Sequence, residues 1–347
     1  MDKAKRKDRI VGAIMGTLVG DALGLGPHWY YDLGELRKDY GPWVADYADP
    51  KPGRYHAGCT AGDVSQTGQV TAMLLTSVAE RGGYDQADFT NRLDEFLKTL
   101  DGTPTGGRYT DEAMRDVWKA RATGKPWNQA GSFANTAEAA VRSAVLAGRY
   151  ADSLPEAVAS LSANVRLTHR DPQIAGSAAG FGLVLWAMMN GTPLAKVGGS
   201  LRYKMQQREL AFAMPAPCDC EVDAPAGVFI DTVLQPAWIW EAAHDPAVAI
   251  EPAQAACRLF GLACAISFQL PGAFYLASRF PEDFEMAVLS AINGGGNNMA
   301  RASLTGALSG AMNGFSAIPQ RFVAGLHEGE RYLALAENLA EAALAAG

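Results

Sequence analysis

Apolar residues recur along almost the whole chain at the i, i+3, i+4, i+7 spacing of a helix face. Strand-like alternation is nearly absent. The pattern predicts helices over 8–23, 68–80, 86–98, 110–122, 134–147, 154–168, 172–189, 192–201, 232–243, 253–262, 281–292, 301–313 and 329–344. That is an all-α fold. No linker rich in Ser, Pro or charge divides it, so residues 1–347 read as a single domain. Two regions resist the helical reading. Residues 40–63 carry Pro42, Pro50 and Pro52 with Gly41, Gly53, Gly58 and Gly62, and predict a long ordered loop of the kind that often serves function. Residues 208–227 carry Pro215, Pro217 and Pro225, and form either a pocket edge or a surface excursion.

Two of the helices share a device. Gly12, Gly16, Gly20 and Gly24 are four apart, and so are Ala302, Gly306, Gly310 and Gly314. The spacing puts small residues on one face of each, where another helix can pack very close. The two are expected to be neighbours, with their ends at one pocket. The second follows the turn Gly294–Gly296 and the amides Asn297 and Asn298. Such a turn is either a tight entry to a buried helix or a place where N–H groups, here those of Gly295 and Gly296, point at a ligand.

Composition narrows the function classes. Of 347 residues, 48% are apolar and 19% charged, as in a globular protein with a large core. The net charge of −7 argues against nucleic acid as a partner. The basic start KAKRKDR reads as a solvated lead-in. The five cysteines form no disulfide framework, and the C-x-C pair Cys218 and Cys220 has no second pair to complete a zinc site. A reducing cytoplasm is the expected compartment. The apolar run over 10–26 is short for a membrane span and is broken by Asp21. No signal-peptide cleavage pattern follows it. No membrane partner is expected, and nothing in the sequence sets an oligomeric state.

Polar residues cluster where a helical core would not ask for them. His28, Trp29, Tyr30, Tyr31 and Asp32 follow Asp21. Tyr55 and His56 lie in the long loop. Asp63, Ser65, Gln66 and Gln69 lead into a helix, with Ser65 either a cap or a ligand contact. In LTHRDP, His169 is a candidate acid or base, and Asp171 before Pro172 fits a helix cap. Arg301 needs an anionic partner or ligand. Glu138 either pairs with Arg142 one turn on or points into the pocket.

The order of these segments resembles the ADP-ribosylglycohydrolase superfamily. GTLVGDALG is similar to the opening G-x-x-x-G-D-A-x-G helix of that family, LTHRDP to its T-H-x-D-P element, and NGGGNNMARASLTGALSGA to its closing G-G-D-T-D-T segment and helix. The resemblance implies an orthogonal helical bundle with one cleft. It also implies two magnesium ions, held by a Glu after the first motif, a T-D-D-T segment and the late Asp, Asp and Thr. Those positions here are His28, Ser65 to Gly68, Asn297, Met299 and Ala300. Magnesium prefers carboxylate oxygens, so no metal or other cofactor is expected, and magnesium returns only if this alignment fails. The replacements look like the J-type crystallin branch.

The leading reading is a divergent hydrolase of a glycosidic or related bond in a small ligand, ribosyl and nucleotide derivatives included. His28 or His169 would supply a proton and Asp21 or Asp171 a carboxylate. Trp29, Tyr30, Asp32, Tyr55, His56, Ser65, Gln66, Gln69, Glu138, Gly295, Gly296, Asn297, Asn298 and Arg301 would hold the ligand. The alternatives are an inactive ligand-binding or crystallin-like protein and an ordinary ADP-ribosyl hydrolase.

Overall fold

The computed structural model describes residues 1–103, 108–207 and 228–345. The 208–227 segment with its C-x-C pair lies outside the described residues. Within them the protein is all-α, and its only β pairings are isolated bridges.

The two glycine-faced helices form the centre. Lys3–Leu25 is capped by Asp2, which accepts the Ala4 N–H at 2.7 Å, and is buried continuously from Ile10 to Leu25. Asn298–Asn313 is buried over nearly its full length. They run antiparallel, because Gly12 meets Gly310 and Gly314, Gly16 meets Gly306, Gly20 meets Ala302, and Gly24 meets Met299. A Cβ at Gly12 would lie 2.5 Å from the Gly314 carbonyl carbon, and one at Gly24 2.5 Å from Met299 Cα. The backbones touch because neither helix has side chains on that face. The C-terminal end of the first helix therefore meets the N-terminal end of the second, where the sequence places Asp21, His28, Asn297 and Asn298.

Other helices wrap this pair. Ile266–Arg279 and Phe284–Asn293 pack on Asn298–Asn313, while Gly329–Ala345 and Gln66–Arg81 flank the first helix. Pro172–Met189 is apolar and long enough to cross a bilayer, but 83% of it is buried inside the bundle, as a core helix is. The loop after Tyr40 is pinned: the Asn293 side chain bonds both the N–H and the carbonyl of Val44, and Tyr47 Oη donates to Phe322 O at 2.7 Å.

The observed elements depart from the periodicity in places that matter for the site. The run that reads as one helix over 134–147 splits into Glu138–Val141 and Ser143–Arg149. The residues before it are drawn into bridges: Ser132 N–H donates to Thr168 O at 2.9 Å, and Ile266 N–H to Asn135 O at 2.8 Å. Ile266–Arg279 escapes the sequence pattern, because Pro271 and Gly272 interrupt its middle. Gly272 is there for packing, since a Cβ would sit 3.1 Å from Arg301 Cδ.

Candidate functional site

The backbone at the junction of the two central helices is internally satisfied. Gly296 N–H donates to Tyr30 O at 2.8 Å, and Trp29 N–H to Gly296 O at 3.0 Å. Gly295 N–H goes to Ile292 O and Asn297 N–H to Leu262 O. Gly295 and Gly296 have φ of 71° and 65°, and each abuts a neighbouring carbonyl. Of the two readings of this turn, the structure gives the tight entry to a buried helix: each of these N–H groups is taken by a backbone carbonyl of the protein. Asn297 caps its helix through the Ala300 N–H, and Asn298 accepts from His28 Nδ1 at 3.2 Å while donating to Pro27 O at 2.9 Å. Arg301 is fully buried and faces no carboxylate. Its Nη2 donates to Gly295 O at 2.5 Å, and its Nε and Nη1 have no protein partner.

The four residues expected to do chemistry are engaged in other ways. Asp21 is fully buried and accepts from Ser65 N and Ser65 Oγ at 2.6 and 2.7 Å. Burial raises its pKa to about 6 against those bonds. His28 keeps a neutral ring, pushed well below its usual range by burial. His169 has a hydroxyl at each nitrogen, Thr136 on Nε2 and Thr168 on Nδ1, both at 3.0 Å. Burial takes its pKa down to about 3, which removes it as a proton donor at neutral pH. Asp171 caps Pro172–Met189, accepting the Gln173 and Ile174 N–H groups at 2.9 and 3.0 Å. A capping carboxylate at the rim is a structural group.

The ligand-wall residues divide in the same way. Trp29, Tyr55 and His56 gather with Tyr109 and His28, with Trp29 4.6 Å from Tyr55 and 4.5 Å from Tyr109 between ring centroids. Trp29 holds φ of 60°, a region that bulky side chains avoid. His56 Nδ1 accepts the Tyr109 N–H, so its proton sits on Nε2, which has no partner; Trp29 Nε1 is likewise unpartnered. Tyr30 turns away from this wall. Its hydroxyl donates to Asp39 at 2.6 Å and its ring lies under Arg54. Asp32 is an exposed cap on Leu33–Tyr40, and Gln69 is half-buried one turn into Gln66–Arg81. Ser65 caps Gln66–Arg81 through the Thr67 and Gly68 N–H groups. It thus serves as cap and as partner of Asp21 together. Ser65→Ala is expected to cost about 0.5–2 kcal/mol for the cap plus a bond to a buried carboxylate. The loss in denaturant midpoint should be larger at pH 8 than at pH 5, since Asp21 is charged only above about 6.

A group of which the sequence reveals Glu138, Gln66 and His169 but not Asp111 carries the strongest chemistry. Asp111, Glu138, Arg142, Thr168, His169, Gln66 and Thr67 line a cavity of about 10 Å³ with Val70, Ala113 and Met114. That is room for roughly one water. Burial raises both carboxyls, Asp111 to about 6 and Glu138 to about 8, and the Asp111 charge pushes Glu138 up further. Glu138 Oε2 is buried with no protein partner. Arg142 does not pair with Glu138 as the one-turn spacing suggests. Its Nε and Nη2 bond Asn164 Oδ1 and O at 2.6 and 3.1 Å, and Nη2 also reaches Thr168 Oγ1 at 2.8 Å. Asp111 caps Glu112–Ala122 through the Met114 N–H, and Gln66 Oε1 accepts the Asp111 N–H at 3.1 Å. Cys264 is a half-buried free thiol. Burial and the Glu138 charge push the Cys264 thiol up to about 11, so it is neutral at neutral pH. In sequence Asp111 falls within the helix expected over 110–122 and draws no notice, and only its position relative to Glu138 in space reveals more.

A model of the ADP-ribosylglycohydrolase family matches residues 2–346. The chain belongs to the ADP-ribosylglycohydrolase family. An uncharacterized protein of Archaeoglobus fulgidus is 26% identical over 344 residues, spanning 96% of this chain and 97% of the relative. A solved structure described as an ADP-ribosylglycohydrolase-related protein complex superposes with a TM-score of 0.65 at 21% identity, over 98% of this chain and 99% of that one. At that identity the likeness concerns the fold. As a member of the ADP-ribosylglycohydrolase family, the protein is hydrolase-like. Among the described residues, no group of three or more His, Cys, Asp or Glu side chains is disposed to hold a metal ion.

Proposed function

We propose that the protein hydrolyses a glycosidic or related bond of a small ribosyl- or nucleotide-type ligand, with Glu138 as acid and Asp111 as base. The supporting observation is the buried pair around a water-sized cavity, with Glu138 Oε2 left unpartnered. Like charges in one buried site cannot both ionise easily, so one carboxyl keeps its proton near neutrality. Glu138, raised further, is that acid. It gives its proton to the leaving group as the bond to the anomeric carbon breaks. Asp111 takes a proton from the water that attacks the same carbon. The products are a free hemiacetal and a protonated leaving group. Trp29 and Tyr109 offer an aromatic wall for a ring.

The two magnesium ions implied by the family do not fit the residues present. The late positions carry Asn297, Met299 and Ala300, with Asn297 spent as a cap and Met299 packed on Gly24. Both oxygens of Asp21 are taken by Ser65. Amides and a thioether are poor ligands for a hard cation, and no step is routed through one. The test is turnover of a panel of ribosides and ADP-ribosyl conjugates by chelator-treated protein. Turnover that is unchanged by added magnesium, with both an acid and a basic limb in its pH profile, is the expected result. Activity that appears only when magnesium is restored would overturn the metal-free assignment. Calorimetric binding of ADP-ribose with no substrate consumed would overturn the enzyme in favour of a binding protein.

A further inference from the structure

Beyond the end of the first central helix, three ring nitrogens on adjoining side chains have no partner among the described residues. The turn that joins Trp29 to Gly296 holds Trp29 at φ of 60° and lays its indole on His28, with ring centroids 5.0 Å apart and planes 18° from parallel. His56 meets the His28 ring at 5.1 Å, and Tyr109 touches Trp29 and reaches both histidines. The proton on each histidine follows from its neighbours. The Asn298 amide nitrogen donates to Pro27 O, so its oxygen is the acceptor and His28 Nδ1–H donates to it. Burial keeps the His28 ring neutral, which leaves Nε2 as a bare lone pair with no partner. His56 is the reverse: Nδ1 accepts the Tyr109 N–H at 3.2 Å, and Nε2–H is buried and unpartnered. Trp29 Nε1–H is the third. The cluster reaches the surface, since Tyr55 is exposed and Trp29 and Tyr109 are half-buried.

We propose that His28, Trp29 and His56 form a subsite for a neutral furanose ring with vicinal hydroxyls: His28 Nε2 takes a hydroxyl proton, and Trp29 Nε1–H and His56 Nε2–H donate to hydroxyl oxygens. The inference rests on the riboside reading of the ligand and is independent of the assignment of Glu138. A buried donor without an acceptor is costly. Two of them beside a tryptophan in a disfavoured backbone conformation mark a place prepared for a ligand. The mixture of groups selects that ligand. An oxyanion would satisfy the two donors but is repelled by the lone pair of His28. Neither histidine carries a charge to attract it, since burial takes His56 down to about 4 and His28 well below its usual range. Arg108, next to Tyr109 in the chain, is bound to Val64 O and Asp63. A hydroxyl both donates and accepts, so neighbouring hydroxyls can serve all three nitrogens across adjoining rings. The C–H face of the sugar packs on the aromatic side chains.

The test is proton–nitrogen correlation NMR of the full chain at pH 7, with Trp29→Phe to assign the Trp29 indole N–H. D-ribose is expected to move that resonance downfield as the N–H gains an acceptor. Sulfate at matched ionic strength and adenine are expected to leave it in place. His28→Asn keeps a donor toward Asn298, and His56→Asn keeps an acceptor for the Tyr109 N–H, while each removes Nε2. Each variant should weaken ribose about threefold to tenfold, the weight of one net hydrogen bond. No movement with ribose overturns the inference, and movement with sulfate or adenine alone overturns the hydroxyl class. Unchanged ribose affinity in both Asn variants overturns the assignment to the histidines. Ribosides hydrolysed while ribose leaves Trp29 unmoved would sink the subsite and keep the hydrolase. A ribose-shifted Trp29 in a protein that hydrolyses no riboside would support the subsite and remove the hydrolase. Should an Asn variant fail to fold, the wild-type titration decides.

Discussion

Glu138→Gln is expected to lower kcat by about 10²–10⁴ and, at pH 8, to make the protein more stable. The first effect follows because an amide has no proton of suitable acidity to give. The second follows from the direction in which the pKa moves. Burial and the Asp111 charge raise the Glu138 pKa from 4.5 to about 8. In the unfolded chain the carboxyl ionises near its ordinary value, while the folded chain holds the proton over the window between. The cost of burying the charge is absent below pH 4.5 and fully present above about 8, so wild-type stability falls as pH rises through that window. A tenfold change in proton affinity corresponds to about 1.4 kcal/mol, which makes the effect large on the scale of a domain. Gln cannot ionise and removes it.

Urea midpoints at pH 5 and pH 8 check this. The two proteins should be close at pH 5 and separate at pH 8, with the variant higher. A variant less stable at pH 8 would mean that the carboxylate is ionised and paired, contrary to its unpartnered Oε2. The kinetic counterpart is a loss of wild-type turnover at high pH as Glu138 gives up its proton, and at low pH as Asp111 gains one. The two limbs belong to the pair, since neither group titrates independently of the other.

The scaffold of this site is legible in the sequence and its chemistry is not, for physical reasons that particular residues show. Gly12, Gly16, Gly306 and Gly310 leave their helices no other partner that can come as near, so spacing alone predicts the contact. The join between Trp29 and Gly296 follows from the two helix ends meeting. Glu138 is visible as a charge in an apolar run, but its partner is not. Arg142 sits at the right spacing for an ion pair, yet Asn164 on another helix and Thr168 in the turn after it bind it instead. Asp111 lies just before a helix with every mark of a cap, and it is one. A residue that serves locally gives no sign of what it faces across the fold. The same masking hides Ile266–Arg279, whose Pro271 and Gly272 read as a break and whose packing on Arg301 holds it as a helix.

Gly306→Val is expected to abolish the folded state, and Gly306→Ala to weaken it clearly. A Cβ at Gly306 would overlap the carbonyl of Gly16, and one at Gly16 would overlap the carbonyl of Gly306. The struck atoms are helix backbone, which cannot rotate aside as a side chain would. The helices must separate along their whole shared face. Alanine returns about 1 kcal/mol of helix propensity over glycine, against an overpacking cost of about 1–3 kcal/mol or more. Valine adds two methyl groups at the same point. Its cost approaches the roughly 5–15 kcal/mol that holds a typical domain together. Gly199→Ala is the matched control, because nothing lies within 4 Å of a Cβ there, in the exposed part of Val197–Gln206. It should stabilise by a few tenths to about 1 kcal/mol. Soluble yield and the midpoint of thermal unfolding measure all three. A Gly306→Ala protein that melts like wild type would mean the two backbones do not touch. Asp21, His28 and Asn298 would then lose the contact that brings them to one end of the bundle.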